Sequence, residues 1–158
     1  MRRIPLTAAT LALALAGAAF AESHVSDEVA GAVNARQSHM TLYAFNLGPI
    51  GGMLRGRMDY DAEIAAAAAN NLAALANIDQ GRYWVEGSSV DDIGEMTEAK
   101  ADIWSDMDGF NENMQALATA TTELAAVAGD GMEAMQAAFG PVGQACGACH
   151  ENYRVESE

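Results

Sequence analysis

Two thiols three positions apart, Cys146 and Cys149, are followed at once by an imidazole, His150, eight residues from the C-terminus. This is the C-x-x-C-H spacing by which c-type haem is attached. On a helix, positions i and i+3 share a face, so both sulfurs can form thioethers along one edge of a porphyrin. His150, about 100° further round, can then turn under the macrocycle and give a nitrogen to the iron. Three other chemistries use similar residues. A structural zinc site needs four ligands, and beyond this stretch the chain has no further cysteine and only His24 and His39. A thioredoxin-like pair belongs in a βαβ pattern, and no strand pattern is present. A Cys146–Cys149 disulfide closes too short a loop to stabilise much. Covalent haem is the reading that remains.

The start of the chain fits that chemistry. Arg2 and Arg3 precede an apolar run, Leu11 to Ala19, and Ala19-Phe20-Ala21 forms an A-x-A cleavage site before Glu22. Residues 1–21 read as a secretory signal peptide, too short in its apolar run to span a bilayer, and nothing else in the chain is long enough to do so. Export to the bacterial periplasm follows, an oxidising compartment that tolerates paired cysteines. The mature part, residues 22–158, has the length of one domain. The whole chain carries 8 Lys+Arg against 22 Asp+Glu. Loss of Arg2 and Arg3 leaves a formal charge of −16 (6 − 22). So acidic a chain disfavours nucleic acid and anionic membranes, and a docking partner should carry a basic patch.

The elements that must position the thiols and the imidazole are helical. Alanine runs such as Ala65 to Ala69 are strong helix formers, and β-branched residues are sparse. Ser26 predicts the first N-cap, with Val29, Val33, Arg36, Met40, Tyr43 or Ala44, and Leu47 drawing an inward stripe. Gly48-Pro49 should loosen or kink this helix, which resumes through Met53 and Leu54 and ends at Gly56. Asp59 or Asp61 caps the second helix, with Ile64, Ala68, Leu72, Leu75 and Ile78 on its apolar face. Residues 79–101 lose periodicity and read as a long crossover loop anchored by Tyr83-Trp84.

The third helix is predicted from about Ser105, carrying Met107, Phe110, Met114, Leu117, Leu124 and Val127, and Gly129 ends it. Asp130 and Glu133 resemble a capping box opening the last helix, where Met132, Met135, Phe139, Val142, Ala145 and Cys149 face inward. The fold class is therefore all-α: an antiparallel four-helix bundle with one long crossover loop and the haem near its C-terminal end. Burying several hundred Å² of macrocycle at roughly 25 cal/mol per Å² is worth several kcal/mol, so the haem-free chain should be poorly folded.

These residues resemble the class II c-type cytochromes, the cytochrome c′ family. The resemblance is carried by CGACHENYR near the C-terminus, ARQSHM and the G-x-x-G-G-M-L-R-G segment of the first helix, DYD before the second, YWVEGS in the crossover and AKADIW before the third. It spans essentially the whole mature chain and implies one covalently attached haem c per chain. It makes Cys146 and Cys149 the thioether sites and His150 the proximal iron ligand. It also makes Arg36 the arginine approaching a haem propionate, and Arg154 the basic residue beside the proximal histidine. An exposed, salt-bridging arginine is the alternative for both.

The same resemblance places Met40 over the distal face, as a sixth ligand or as a non-ligating screen that leaves the iron five-coordinate. His39, about 100° round the helix, is expected on a partly exposed polar face. The functions implied are an Fe(III)/Fe(II) electron carrier working with redox proteins, or a module binding nitric oxide or carbon monoxide. Neither is an enzyme, and family members are often homodimers through helices one and two.

Overall fold

The computed structural model describes residues 25–156. The expected signal peptide, its cleavage after Ala21 and His24 lie outside the described residues. Four long helices, α1 (Asp27–Leu54), α2 (Ala62–Ala76), α5 (Met107–Val127) and α6 (Met132–Tyr153), form the bundle, and the one-turn helices α3 (Val90–Ile93) and α4 (Asp102–Ser105) lie between α2 and α5. Each start but the last is set by a side-chain cap. Ser26 Oγ accepts from Val29 N at 3.3 Å, Asp61 Oδ1 from Ile64 N at 2.9 Å and Asp106 Oδ1 from Gly109 N at 3.2 Å. The capping box expected at Asp130 does not form. Gly131 is the N-cap of α6 at φ 136°, a backbone conformation that side chains strain, and it makes no side-chain cap. Tyr60 does the work there instead: its hydroxyl donates to Ala128 O at 2.8 Å and accepts from Gly131 N at 2.9 Å, tying the α1–α2 link to the α5–α6 turn.

The core is built on alanine. Ala65, Ala68, Ala69, Leu72 and Ala76 form the buried face of α2 and pack with Ile50, Met53, Leu124, Met135 and Val142. The face is rotated from the one read in the sequence, leaving Ile64 and Ile78 exposed at 42% and 47%. Small side chains let helices approach closely, so α2 packs through these alanines and turns Ile64 outward, while Ile78 lies past the helix, which ends at Ala76. α1 runs unbroken through Pro49, which lies inside the helix. The crossover is more ordered than a loop. It holds two 3-10 turns, α3 and α4, and an antiparallel bridge from Ala99 to Arg154.

Neighbouring helices pack α1 on α2, α2 on α5 and α5 on α6, whereas α1 and α6 scarcely meet. The gap between them is where a cofactor can lie. Among the described residues no helix is long and apolar enough to cross a membrane.

Candidate functional site

Cys146, Cys149 and His150 sit on the last two turns of α6 and line a cavity of about 570 Å³ between α6 and α1. That volume is within the range of roughly 300–1,000 Å³ usual for small-molecule and cofactor pockets. Both cysteines are free and partly buried, and His150 is half-buried. Burial pushes the Cys146 thiol up. It takes the Cys149 thiol to about 11, with the neighbouring Cys146 adding to the shift. Burial also holds His150 below its ordinary value, the Arg154 guanidinium lowers it further and Glu98 opposes both. An imidazole kept neutral is in the state a metal requires.

The opposite wall belongs to α1, where Met40 and Ala44 line the cavity with Arg36, Tyr43 and Leu47. α1 thus carries two inward stripes. Arg36, Met40, Ala44 and Leu47 follow the cavity, while Val33, Arg36, His39, Tyr43 and Asn46 are buried, Arg36 and Tyr43 serving both. The second stripe corrects the expectation for His39. It is 4% exposed, with its ring 4.8 Å from that of Tyr43 and 5.7 Å from that of Tyr83, instead of lying on a polar face. Burial holds it, too, below its ordinary pKa.

Arg36 is buried, and no described carboxylate pairs with it. At 4% exposure its Nη1 donates to Ser88 Oγ at 2.9 Å, and its Nη2 to Ser88 O at 2.6 Å and Thr97 Oγ1 at 2.5 Å. Its Cζ lies 5.2 Å from the centroid of the Trp84 ring. Every one of these partners is neutral, so among the described residues a positive charge is buried in the cavity wall without a carboxylate partner. A buried cation of this kind is costly unless an anion reaches it.

Arg154 lies one residue past the helix that carries His150, and it is the exposed, salt-bridged arginine given above as the alternative. α6 ends at Tyr153, and Arg154 is the extended C-cap at φ −120°, ψ 138°. It still lines the cavity mouth, because its backbone pairs with Ala99, and its Nε is 3.8 Å from Glu98 Oε2 with both side chains about half exposed.

Other lining residues were not singled out in the sequence. Tyr153 is buried against Phe110 with ring centroids 5.4 Å apart, and its hydroxyl donates to Asp106 Oδ2 at 2.7 Å. The tyrosine of CGACHENYR was the available signal. Ser88 and Thr97, the acceptors of Arg36, carried none: short hydroxyl residues in an aperiodic stretch look like any loop residue.

The fit of a haem to this site rests on what these walls offer. Free thiols at i and i+3 and a neutral imidazole lie on one side, a thioether and apolar side chains on the other, and an unmatched guanidinium at the rim. That donor set matches a flat apolar macrocycle with two attachment points, one axial nitrogen and anionic edge groups. No group of three or more His, Cys, Asp or Glu among the described residues offers a competing metal site.

Comparison with known proteins agrees with this geometry. The family model "Cytochrome C'" matches residues 31–154. The chain is 38% identical over 156 residues to a cytochrome c′ of Cereibacter sphaeroides, covering 99% of each, and 37% identical over 154 residues to a cytochrome c-554 of the same organism, covering 98% of each. Among solved structures it is similar to a cytochrome c′ from Rhodobacter sphaeroides, at 38% identity and TM-score 0.78, covering 82% of this chain and 98% of that one. A second, from Thermochromatium tepidum, aligns at 32% identity and TM-score 0.74, covering 84% and 98%. The chain belongs to the cytochrome c′ family, whose members carry one covalently attached haem c per chain.

Proposed function

We propose that this protein is a periplasmic monohaem electron carrier. The observation that carries the reading is the cavity between α1 and α6, with Cys146, Cys149 and His150 on one wall and Met40 on the other. A haem held there supplies a one-electron Fe(III)/Fe(II) couple. Cys146 and Cys149 fix it through thioethers and so prevent its loss. His150 would give a ring nitrogen to its iron. Arg36 presents its buried charge to an anionic edge, and Arg154 stands on the proximal side. The apolar lining keeps the site at low dielectric. The reading includes residues 22–158 as one domain, exported with cleavage after Ala21, with no substrate turned over. The redox partner should carry a basic patch to match the acidic chain.

Two observations favour the gas-binding alternative enough to state it. Met40 is 36% exposed while lining the cavity, so its thioether is not locked by packing and can screen the distal face without ligating. A relative of known structure, the cytochrome c prime of Alcaligenes xylosoxidans, was solved as variants in complex with nitric oxide. Another was described by a ligand-controlled dimer dissociation. For this chain a homodimer through α1 and α2 is supported by the exposed Leu42 and Phe45, at 49% and 75%.

The visible spectrum of the reduced protein separates the two. A sharp low-spin band lost in Met40→Ala establishes methionine ligation and the carrier reading. A broad high-spin spectrum unchanged by that substitution refutes methionine ligation. Replacing both cysteines should leave the haem extractable by acidified organic solvent; haem that stays attached in that variant sinks the thioether assignment.

A further inference from the structure

The two helices that face each other across the cavity scarcely touch, so packing alone fixes their separation only indirectly, through α2 and α5. At the cavity mouth, hydrogen bonds from the stretch of crossover from Met96 to Lys100 join the two walls. Towards α1, Gln37 Nε2 donates to Met96 O at 2.9 Å, and Arg36 Nη2 donates to Thr97 Oγ1. Towards α6, Lys100 N donates to Tyr153 O at 3.0 Å, Val155 N to Glu98 O at 2.9 Å and Lys100 Nζ to Glu151 O at 3.0 Å. The two halves meet at one oxygen. Thr97 Oγ1 accepts from Arg36 on one side and from Ala99 N, at 3.2 Å, on the other. Ala99 is the residue paired with Arg154. Thr97 is 5% exposed and Ala99 8%, so water cannot easily replace either partner.

We propose that Thr97 is a positioning residue for the haem site: its hydroxyl closes a clasp that holds the Met40 wall against the His150 wall and so limits how freely an external ligand reaches the iron. The proposal rests on the reading of α1 and α6 as the two faces of the haem pocket. The bond from a guanidinium is charge-assisted and roughly twice as strong as a neutral one. Valine in place of Thr97 keeps the shape but removes the acceptor that unites the halves. The one direct bond left between α1 and the stretch from Met96 to Lys100 is then the exposed one from Gln37; Arg36 keeps Ser88, which reaches Ala99 only by way of Val90 N donating to Ala99 O at 2.8 Å, and the mouth loosens.

The test uses the reduced, haem-loaded protein and stopped-flow mixing with carbon monoxide. Thr97→Val should bind severalfold faster than wild type, Thr97→Ser should return to the wild-type rate, and Lys100→Met, which removes only an exposed tie, should show a smaller increase. Intact mass should show covalent haem in all of them. A Thr97→Val protein that melts at lower temperature yet binds at the wild-type rate makes the hydroxyl merely structural and overturns the clasp. If Thr97→Val does not fold, Lys100→Met decides, and a wild-type rate there overturns it. A wild-type chain matured without covalent haem sinks the reading of the site itself, a different failure from an unchanged rate.

Discussion

Replacing Arg36 by methionine tests whether the buried guanidinium serves the cofactor or only the crossover. The change leaves a side chain of similar length that makes none of the four hydrogen bonds to Ser88, Thr97 and Tyr83. The groups left behind set the cost. Ser88 O loses its strong donor, a penalty of about 1–3 kcal/mol for a buried acceptor. The stack on Trp84 forfeits about 0.5–1 kcal/mol. Thr97 Oγ1 keeps Ala99 N, and the Ser88 hydroxyl keeps Val85 O as acceptor at 2.7 Å, so neither is stranded. Removal of a buried charge with no carboxylate partner offsets part of the loss, leaving a net destabilisation of about 2 kcal/mol.

Urea unfolding of the haem-loaded protein measures this. The same variant should lower the reduction potential, because a positive charge in the cavity wall favours the ferrous state. Arg36→Lys should retain most of the potential while losing stability, since an ammonium keeps the charge but cannot reach the same set of acceptors. An Arg36→Met protein that is destabilised with its potential unchanged would show that Arg36 anchors the crossover and nothing more. A variant as stable as wild type would refute the hydrogen-bond argument outright.

Tyr60→Phe removes both bonds at the α5–α6 turn and should cost about 2 kcal/mol in urea unfolding, with covalent haem content unchanged. Burial pushes the Tyr43 phenol up to about 12. Between pH 10 and about 12 the unfolded chain releases that proton and the folded chain keeps it, so stability should fall as pH rises through this window. Tyr43→Phe should flatten the decline, and an equally steep decline in the variant would exclude Tyr43 as its cause.

Most of the bundle was legible because helix signals are local. Ser26 and Asp61 cap the helices expected of them, Asp106 caps α5 one residue after the start predicted near Ser105, and the stripe Arg36, Met40, Ala44, Leu47 follows the cavity as its spacing predicts. His39 was misplaced because a single apolar stripe was assumed for a helix that meets protein on one side and the cavity on the other. Ile64 departs from its expected place for a related reason: hydrophobicity ranks isoleucine above alanine, but close helix packing selects for size; Ile78 departs from it because α2 ends at Ala76. Arg154 illustrates the limit of periodicity at a helix end, where one residue past the last turn no longer obeys the i, i+4 rule. The long-range contacts made by Ser88, Thr97 and Ala99 could not be read at all, since they link residues 52 to 61 positions apart through the fold.

On the electron-carrier reading, the charge distribution separates two properties that a redox protein must set independently. The chain's formal net charge of −14 would favour ferric iron if every charge acted at full strength, but most described carboxylates are exposed, and at physiological salt exposed charges are screened beyond about 8 Å. Arg36 is buried beside the cavity and escapes that screening. The local cation, and not the acidic surface, should therefore dominate the protein's electrostatic effect on the iron. Encounter with the basic partner proposed above would run through solvent and depend on the screened surface instead. Raising the salt concentration should then slow electron exchange with a lysine-rich redox protein steeply while moving the reduction potential little. Stopped-flow exchange and spectroelectrochemical titration across one salt series measure the two quantities on one sample. A potential that shifts in step with the exchange rate would mean that surface carboxylates reach the iron, and that the buried guanidinium does not set its electrostatics.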